Sequence, residues 1–229
     1  MRKLLIDTMG PVLWVMAAFD FLAIITMLKQ HRLQKTNRIP LLTALLCVGL
    51  FYDALILASG TFMQFSAVFR ILSQFRYILH LVMIPLLFPL CTYSLTDKEK
   101  VIRIIWILTV IIMALGLYAG ITMKTEPRTV GTLNRYAQSD DNSALTGFLT
   151  QFLDIVPVFV MIFIGIYLYF KKKNPHLFFA GFFMLLFTLL GIFLGKDPAG
   201  DRTQSLMFYI SMFGESFMVF FLYQFMRKE

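Results

Sequence analysis

Apolar segments about the length of a bilayer crossing recur from one end of this chain to the other. No other feature constrains its fold as tightly. Seven can be marked, at about residues 10–28, 40–59, 74–95, 101–121, 147–170, 176–194 and 204–226. A hydrocarbon core of about 30 Å takes about 20 helical residues. Most of the seven lack the polar face that a helix lying on a water-soluble core would show. The expected fold is therefore all-α, a polytopic bundle of seven transmembrane helices. It forms one domain, because seven crossings leave little of 229 residues for a soluble unit.

The net charge of +8 invites a nucleic-acid reading, and its distribution excludes one. Lys and Arg sit in short clusters beside the apolar segments, such as Lys29, Arg32, Lys35 and Arg38 or Lys171, Lys172 and Lys173. That is the pattern of membrane-flanking charge. Some of these cations are placed to attract anionic headgroups, at roughly 1 kcal/mol each. With seven crossings, one side of the bilayer would hold 12 of the Lys and Arg residues and the other 9. The first side has the short, dense loops. The expectation is an N-terminus outside, a C-terminus inside and a plasma-membrane location. Pro11–Leu28 is long, holds Asp20 and lacks a small-x-small exit, so it reads as a retained helix rather than a cleaved signal. Cys47 and Cys91 lie inside apolar segments with no CxxC pairing and read as packing residues.

Four of the segments carry an acid: Asp20, Asp53, Asp154 and Glu215. His80 lies in the third. Ionisable side chains at membrane depth are costly and mark functional sites. At 1.5 Å per residue, and measured from the segment end at one common face, Asp20 lies about 15 Å deep, Asp53 and His80 about 9 Å, Asp154 about 11 Å and Glu215 about 16 Å. All five fall between the middle and one common face of the bilayer, which predicts a shared polar cavity. Helical spacing puts Ser73, Arg76, Tyr77 and His80 on one face, Gln204, Ser211 and Glu215 on another, and Gln151 one turn from Asp154. The alternative for Asp53 is a structural ion pair with Arg76 or Arg70. The alternative for Asp20 is a satisfied packing contact between helices. Pro85, Pro89 and Pro157 each remove a backbone hydrogen bond and should bend their helices.

One histidine with several carboxylates suits a hard cation or, less typically, zinc. The sequence has no HExxH or HxxxH spacing to build such a site locally, and no GxxxxGK[ST] phosphate loop or GxSxG elbow.

Tyr52-Asp53, Gly60, Arg76-Tyr77-Ile78-Leu79-His80, Ile84-Pro85-Leu86-Leu87 and Gly214-Glu215 together resemble a family of small seven-helix integral membrane proteins of uncharacterised activity. The family has an amide where this chain has Ala54. The resemblance implies that Asp53, Arg76, His80 and Glu215 act as a group, and it implies no reaction.

Three functions remain open at this point. The first is binding or translocation of a small polar solute or ion, with Glu215 and Asp53 as proton or cation sites tuned by His80. An unperturbed imidazole pKa of about 6.5 suits His80 to that part. The second is an intramembrane lipid hydrolase, with Asp53, His80 and an acid holding a metal or activating water and Arg76 binding phosphate. The third is a non-catalytic sensor or assembly subunit with a buried ion-pair network.

Overall fold

A computed structural model describes residues 2–34, 36–195 and 205–227. In chain order the elements are α1 (Arg2–Leu33), α2 (Ile39–Ser59), α3 (Ala67–Met83), a 3₁₀ turn (Ile84–Leu86), α4 (Leu87–Leu95), α5 (Glu99–Thr122), β1 (Thr125–Val130), β2 (Leu133–Gln138), α6 (Ala144–Lys172), α7 (His176–Leu194) and α8 (Met207–Met226). The segment from α3 to α4 acts as one rod of 29 residues, so the described residues form seven long helices. Six of them are long and apolar enough to cross a membrane: α1, α2, the α3–α4 rod, α5, α6 and α7. The remaining helix, α8, has 20 residues; Glu215 and Gln224 dilute its apolar character, and it packs antiparallel along α7.

Helix limits follow local chemistry. The Ser66 side chain accepts from the Phe69 amide at 3.2 Å and starts α3. Ser143 does the same for Thr146 at 3.1 Å and starts α6. Both satisfy amides that the first helical turn leaves free. Pro40 occupies the first turn of α2, where its missing N–H costs nothing. Lys173 closes α6 in the left-handed conformation at φ 57°. The prolines act unequally. Pro85 converts the rod to a 3₁₀ turn, whereas Pro11 and Pro157 are carried inside α1 and α6. The first helix starts at Arg2 rather than near residue 10, and the third starts at Ala67, so the amphipathic stretch after Gly60 mostly forms its opening turns. Lys35 and residues 196–204, Gln204 among them, lie outside the described residues.

The polar stretch between residues 122 and 146 holds an element that hydrophobic periodicity did not announce. Here β1 and β2 pair antiparallel, from Thr125 opposite Gln138 to Val130 opposite Leu133. Gly131 takes φ 59° in the two-residue turn between them, a conformation glycine adopts without strain. The hairpin is docked onto one end of the bundle. Asn134 donates its amide to the Gly60 carbonyl at 2.9 Å and its side-chain NH₂ to the Met63 carbonyl at 3.1 Å. The Tyr136 hydroxyl donates to the Ser66 carbonyl at 3.3 Å, and the Tyr77 hydroxyl to the Tyr136 carbonyl at 3.1 Å. The opposite end carries the dense basic clusters, and there Lys172 donates to the Ser94 carbonyl at 3.3 Å.

Packing fixes the helices that carry the ionisable residues. α2 is buried on nearly every side and forms the centre of the bundle. α1 lies against it with a stripe at Met9, Leu13, Met16, Asp20, Ala23 and Met27, steps of three and four residues. Between α7 and α8, Phe183 stacks on Phe217 at 5.1 Å between centroids and on Phe221 at 5.3 Å, and Phe187 stacks on Phe217 at 5.4 Å. Such offset pairs each add about 0.5–1.5 kcal/mol beyond area burial. Gly214 lets α8 approach α7 here: a Cβ at that position would lie 3.1 Å from both the Met184 Cα and its carbonyl.

A Cβ at Gly60 would overlap the Asn134 carbonyl, a backbone atom that cannot turn aside. Gly60→Val is expected to cost about 1–3 kcal/mol and to raise protease cleavage within residues 125–138. Thermal melts in detergent and mass mapping of limited digests check this; an unchanged melt with an uncut hairpin contradicts the docking described.

Candidate functional site

The ionisable residues meet at the hairpin-facing half of the bundle. Asp53 comes from the second half of α2, and Arg76, Tyr77 and His80 from one face of α3. Asp154 lies on α6 and Glu215 on α8. They line one cavity of about 260 Å³ with Arg135 and Gln138 of β2 and Ser211 of α8. Apolar side chains including Leu57, Leu81, Ile84, Met184 and Met218 complete its wall.

The closest contact is an ion pair. Arg76 Nη1 donates to Asp53 Oδ1 at 2.8 Å, and both side chains are buried. The Arg76 guanidinium lies over the Tyr77 ring, 4.3 Å from its centroid. Stacking and pairing together hold a planar cation that would be expensive alone in a low dielectric. The second Asp53 oxygen, Oδ2, lies 3.4 Å from His80 Nδ1, and His80 Nε2 lies 3.8 Å from Asp154 Oδ1. One imidazole thus stands between two carboxylates, a ring nitrogen toward each. Asp154 is 45% exposed, so the cavity opens beside it. Glu215 is 7% exposed, and its Oε2 is enclosed with no hydrogen-bond partner.

Asp53, His80 and Glu215 each offer one ligand atom, and these atoms lie within 4.8 Å of one another. A carboxylate–imidazole–carboxylate set could ligate a metal ion. The Arg76 cation beside Asp53 acts against a dication at the same place. Chemically, the arrangement offers proton exchange along carboxylate–imidazole–carboxylate contacts, or coordination of a cation by Glu215 with Asp53 and His80.

Five of the six residues expected in a polar cavity line it: Asp53, Arg76, His80, Asp154 and Glu215. Asp20 does not. It is 3% exposed on the α1 stripe that meets α2, near Cys47, and its Oδ1 has no partner. Its depth along the helix suits the cavity, but its phase turns it toward the α1–α2 seam. Arg70, the other cation considered for Asp53, is exposed. Arg135 and Gln138 were missed because they belong to the hairpin. Gly131-Thr132 between two stretches rich in Thr, Val, Leu and Tyr is the turn signal that could have found them.

Compared with known proteins, the chain matches no protein-family model and no curated sequence. The likeness drawn from residues 52–87 and Gly214-Glu215 therefore brings no activity to this site.

Removing one member of a buried ion pair strands the other, at a cost of about 3–5 kcal/mol. Asp53→Leu and Arg76→Met are each expected to lower stability by that amount, and the double variant by far less than the sum. Guanidinium or urea titration of the four proteins in detergent gives the coupling energy. Additive losses would show that the two side chains do not depend on each other.

Proposed function

We propose that this chain is a seven-crossing integral membrane protein whose cavity binds or translocates a small polar solute or ion, linked to a proton or cation at Glu215 and Asp53. The observation that carries the reading is the convergence of Asp53, His80, Asp154 and Glu215, from four different helices, on one cavity. Structural ion pairs need two residues; here three carboxylates share the cavity with two permanent cations, Arg76 and Arg135, and one titratable imidazole, so whenever His80 is neutral one carboxylate is left to be balanced by something else. Once Arg76 has answered Asp53, the acids Asp154 and Glu215 share one imidazole and face Arg135 across the space. An enclosed carboxylate without a hydrogen-bond partner calls for a proton or a cation beside it.

In this reading α8 is the seventh crossing, its lower hydropathy being the consequence of carrying Glu215. The hairpin end faces outward and the basic end faces the cytoplasmic leaflet of the plasma membrane, as the cation-rich loops favour. The bilayer is the constant partner. His80 passes protons between Asp53 and Asp154, and Pro85 lets the rod flex below it. The hydrolase reading draws less support: Arg76, the group that would bind phosphate, is already paired with Asp53 at 2.8 Å.

The test is proton flux into liposomes containing the purified protein, followed by an entrapped pH dye under an imposed potential. Wild type is expected to acidify or alkalinise the lumen above the protein-free rate. Glu215→Gln should lower that rate by at least about tenfold, the scale of a lost proton-transfer group. An undiminished flux in Glu215→Gln would remove Glu215 from the mechanism. A wild type with no flux and no binding of any cation would leave the cluster as a structural network.

A further inference from the structure

Arg135 is the one cation of the cavity wall that the ion pairs do not use. It is 8% exposed, and no carboxylate among the described residues lies within ion-pair distance of it. Its Nε is fully enclosed without a hydrogen-bond partner. One face of the guanidinium lies on the Phe208 ring, 3.8 Å from the centroid. Burial pushes this guanidinium down, to about 10; the nearby Arg76 and Arg128 cations add to the effect and Tyr77 opposes it. A stacked, desolvated Arg with free donors is built for a planar or tetrahedral oxyanion. Its own fold places it there: β2 is fixed by Asn134 to Gly60 and by Tyr136 to Ser66, so the side chain of Arg135 cannot leave without lifting the hairpin.

Along α8, Phe208 and Glu215 are seven residues apart, about 10 Å of helix. The cavity therefore presents an unanswered positive group at its hairpin end. Its negative groups lie deeper: Glu215, whose Oε2 has no partner, and Asp154, answered only by the His80 ring. Glu215 Oε2 lacks a donor, a need that an ammonium N–H would meet.

We propose that the occupant of the cavity is a small zwitterion whose carboxylate or phosphate pairs with Arg135 while its ammonium group sits between Asp154 and Glu215. The proposal rests on the solute-binding reading above and names its substrate class. The volume of about 260 Å³ suits a compact molecule with a short spacer between its charges. The same chemistry occurs on a free solute and on a lipid headgroup, and the partial exposure of Asp154 leaves room for either approach.

The test is titration calorimetry of the full chain in detergent with defined probes. Ethylammonium carries the cation alone, acetate and inorganic phosphate the anion alone, and β-alanine and phosphorylethanolamine both. Lysophosphatidylethanolamine presents the last headgroup on a lipid. A zwitterion is expected to bind at least about tenfold more tightly than ethylammonium or either anion, since an answered buried charge is worth at least that. Arg135→Gln should erase the preference, and Arg135→Lys should weaken it by removing the two-pronged donor geometry. If the Gln variant does not fold, the wild-type preference and the Lys variant decide. Binding of free phosphorylethanolamine assigns a soluble solute; binding of the lysolipid alone assigns a headgroup. Equal binding of ethylammonium and the zwitterions, or a preference that survives Arg135→Gln, overturns the proposal and leaves the cation-linked reading standing. If no probe binds and the proton flux is also absent, both fall together.

Discussion

The ion pair between Asp53 and Arg76 is the interaction on which the rest of this architecture depends. It joins the central helix α2 to α3 at 2.8 Å in a setting where water cannot replace either partner. Because an unpaired charge there would be severely penalised, α2 and α3 cannot slide or rotate independently. That fixes the phase of α3, and the phase of α3 determines where His80 stands, one turn beyond Arg76. The second Asp53 oxygen then faces the imidazole at 3.4 Å. A single carboxylate thereby orients both a permanent cation and a titratable ring, and the ring hands the arrangement on to Asp154 on α6.

The hairpin extends this logic beyond the helices. Val130 and Leu133 are buried in the apolar cluster of α1 and α2, and Tyr136 packs on Phe65 and Phe69, while backbone and side-chain bonds from Asn134, Tyr136 and Tyr77 reach carbonyls at helix ends or within the hairpin itself. The carbonyls of residues 60 and 63 follow the end of α2, where the helical ladder leaves acceptors unsatisfied, and the Ser66 carbonyl accepts from the Arg70 amide as well. The same unmet acceptors that end the helices thus anchor the cap. A cap held in this way keeps a fixed register, and its buried strand residues can carry a charge into the cavity.

The six helices long and apolar enough to cross a membrane were readable because about 20 apolar residues in a row admit few alternatives. The convergence of Asp53, His80, Asp154 and Glu215 was readable from depth along each segment, since lipid penalises a charge that faces outward. Depth alone misplaced Asp20. It shares its level with the cluster but lies on the stripe of Met16, Ala23 and Met27 that packs against α2. Deciding this needs the rotation of α1, which a helix apolar on every side does not encode. The hairpin was hidden for a different reason. Its strands are six residues each and mix Arg, Glu, Asn and Gln with Thr and Tyr, so neither periodicity nor hydropathy stands out. Its stability comes from docking onto residues far away in the chain, and with it came Arg135.

Pro85 connects this static frame to function. It lies in the 3₁₀ turn that interrupts the rod one turn beyond His80, and the flanking residues Ile84 and Leu87 belong to the cavity wall. Above the interruption, α3 is tied to α2 by the ion pair, to the hairpin by Tyr77 and to the end of α5 by Gln74, which donates to the Gly120 carbonyl and, at 3.1 Å, to the Met123 carbonyl. Below it, α4 is held by apolar packing and by contacts near the basic end, where Tyr93 accepts from Trp106 at 3.1 Å and Arg38 at 3.3 Å. The two parts of the rod therefore have separate attachments and meet where a proline has removed a backbone hydrogen bond. Charged groups gather on the strongly tied side and apolar wall on the other. A bend at this joint would alter the cavity wall at Ile84 and Leu87, on the side away from the ion pair between α2 and α3.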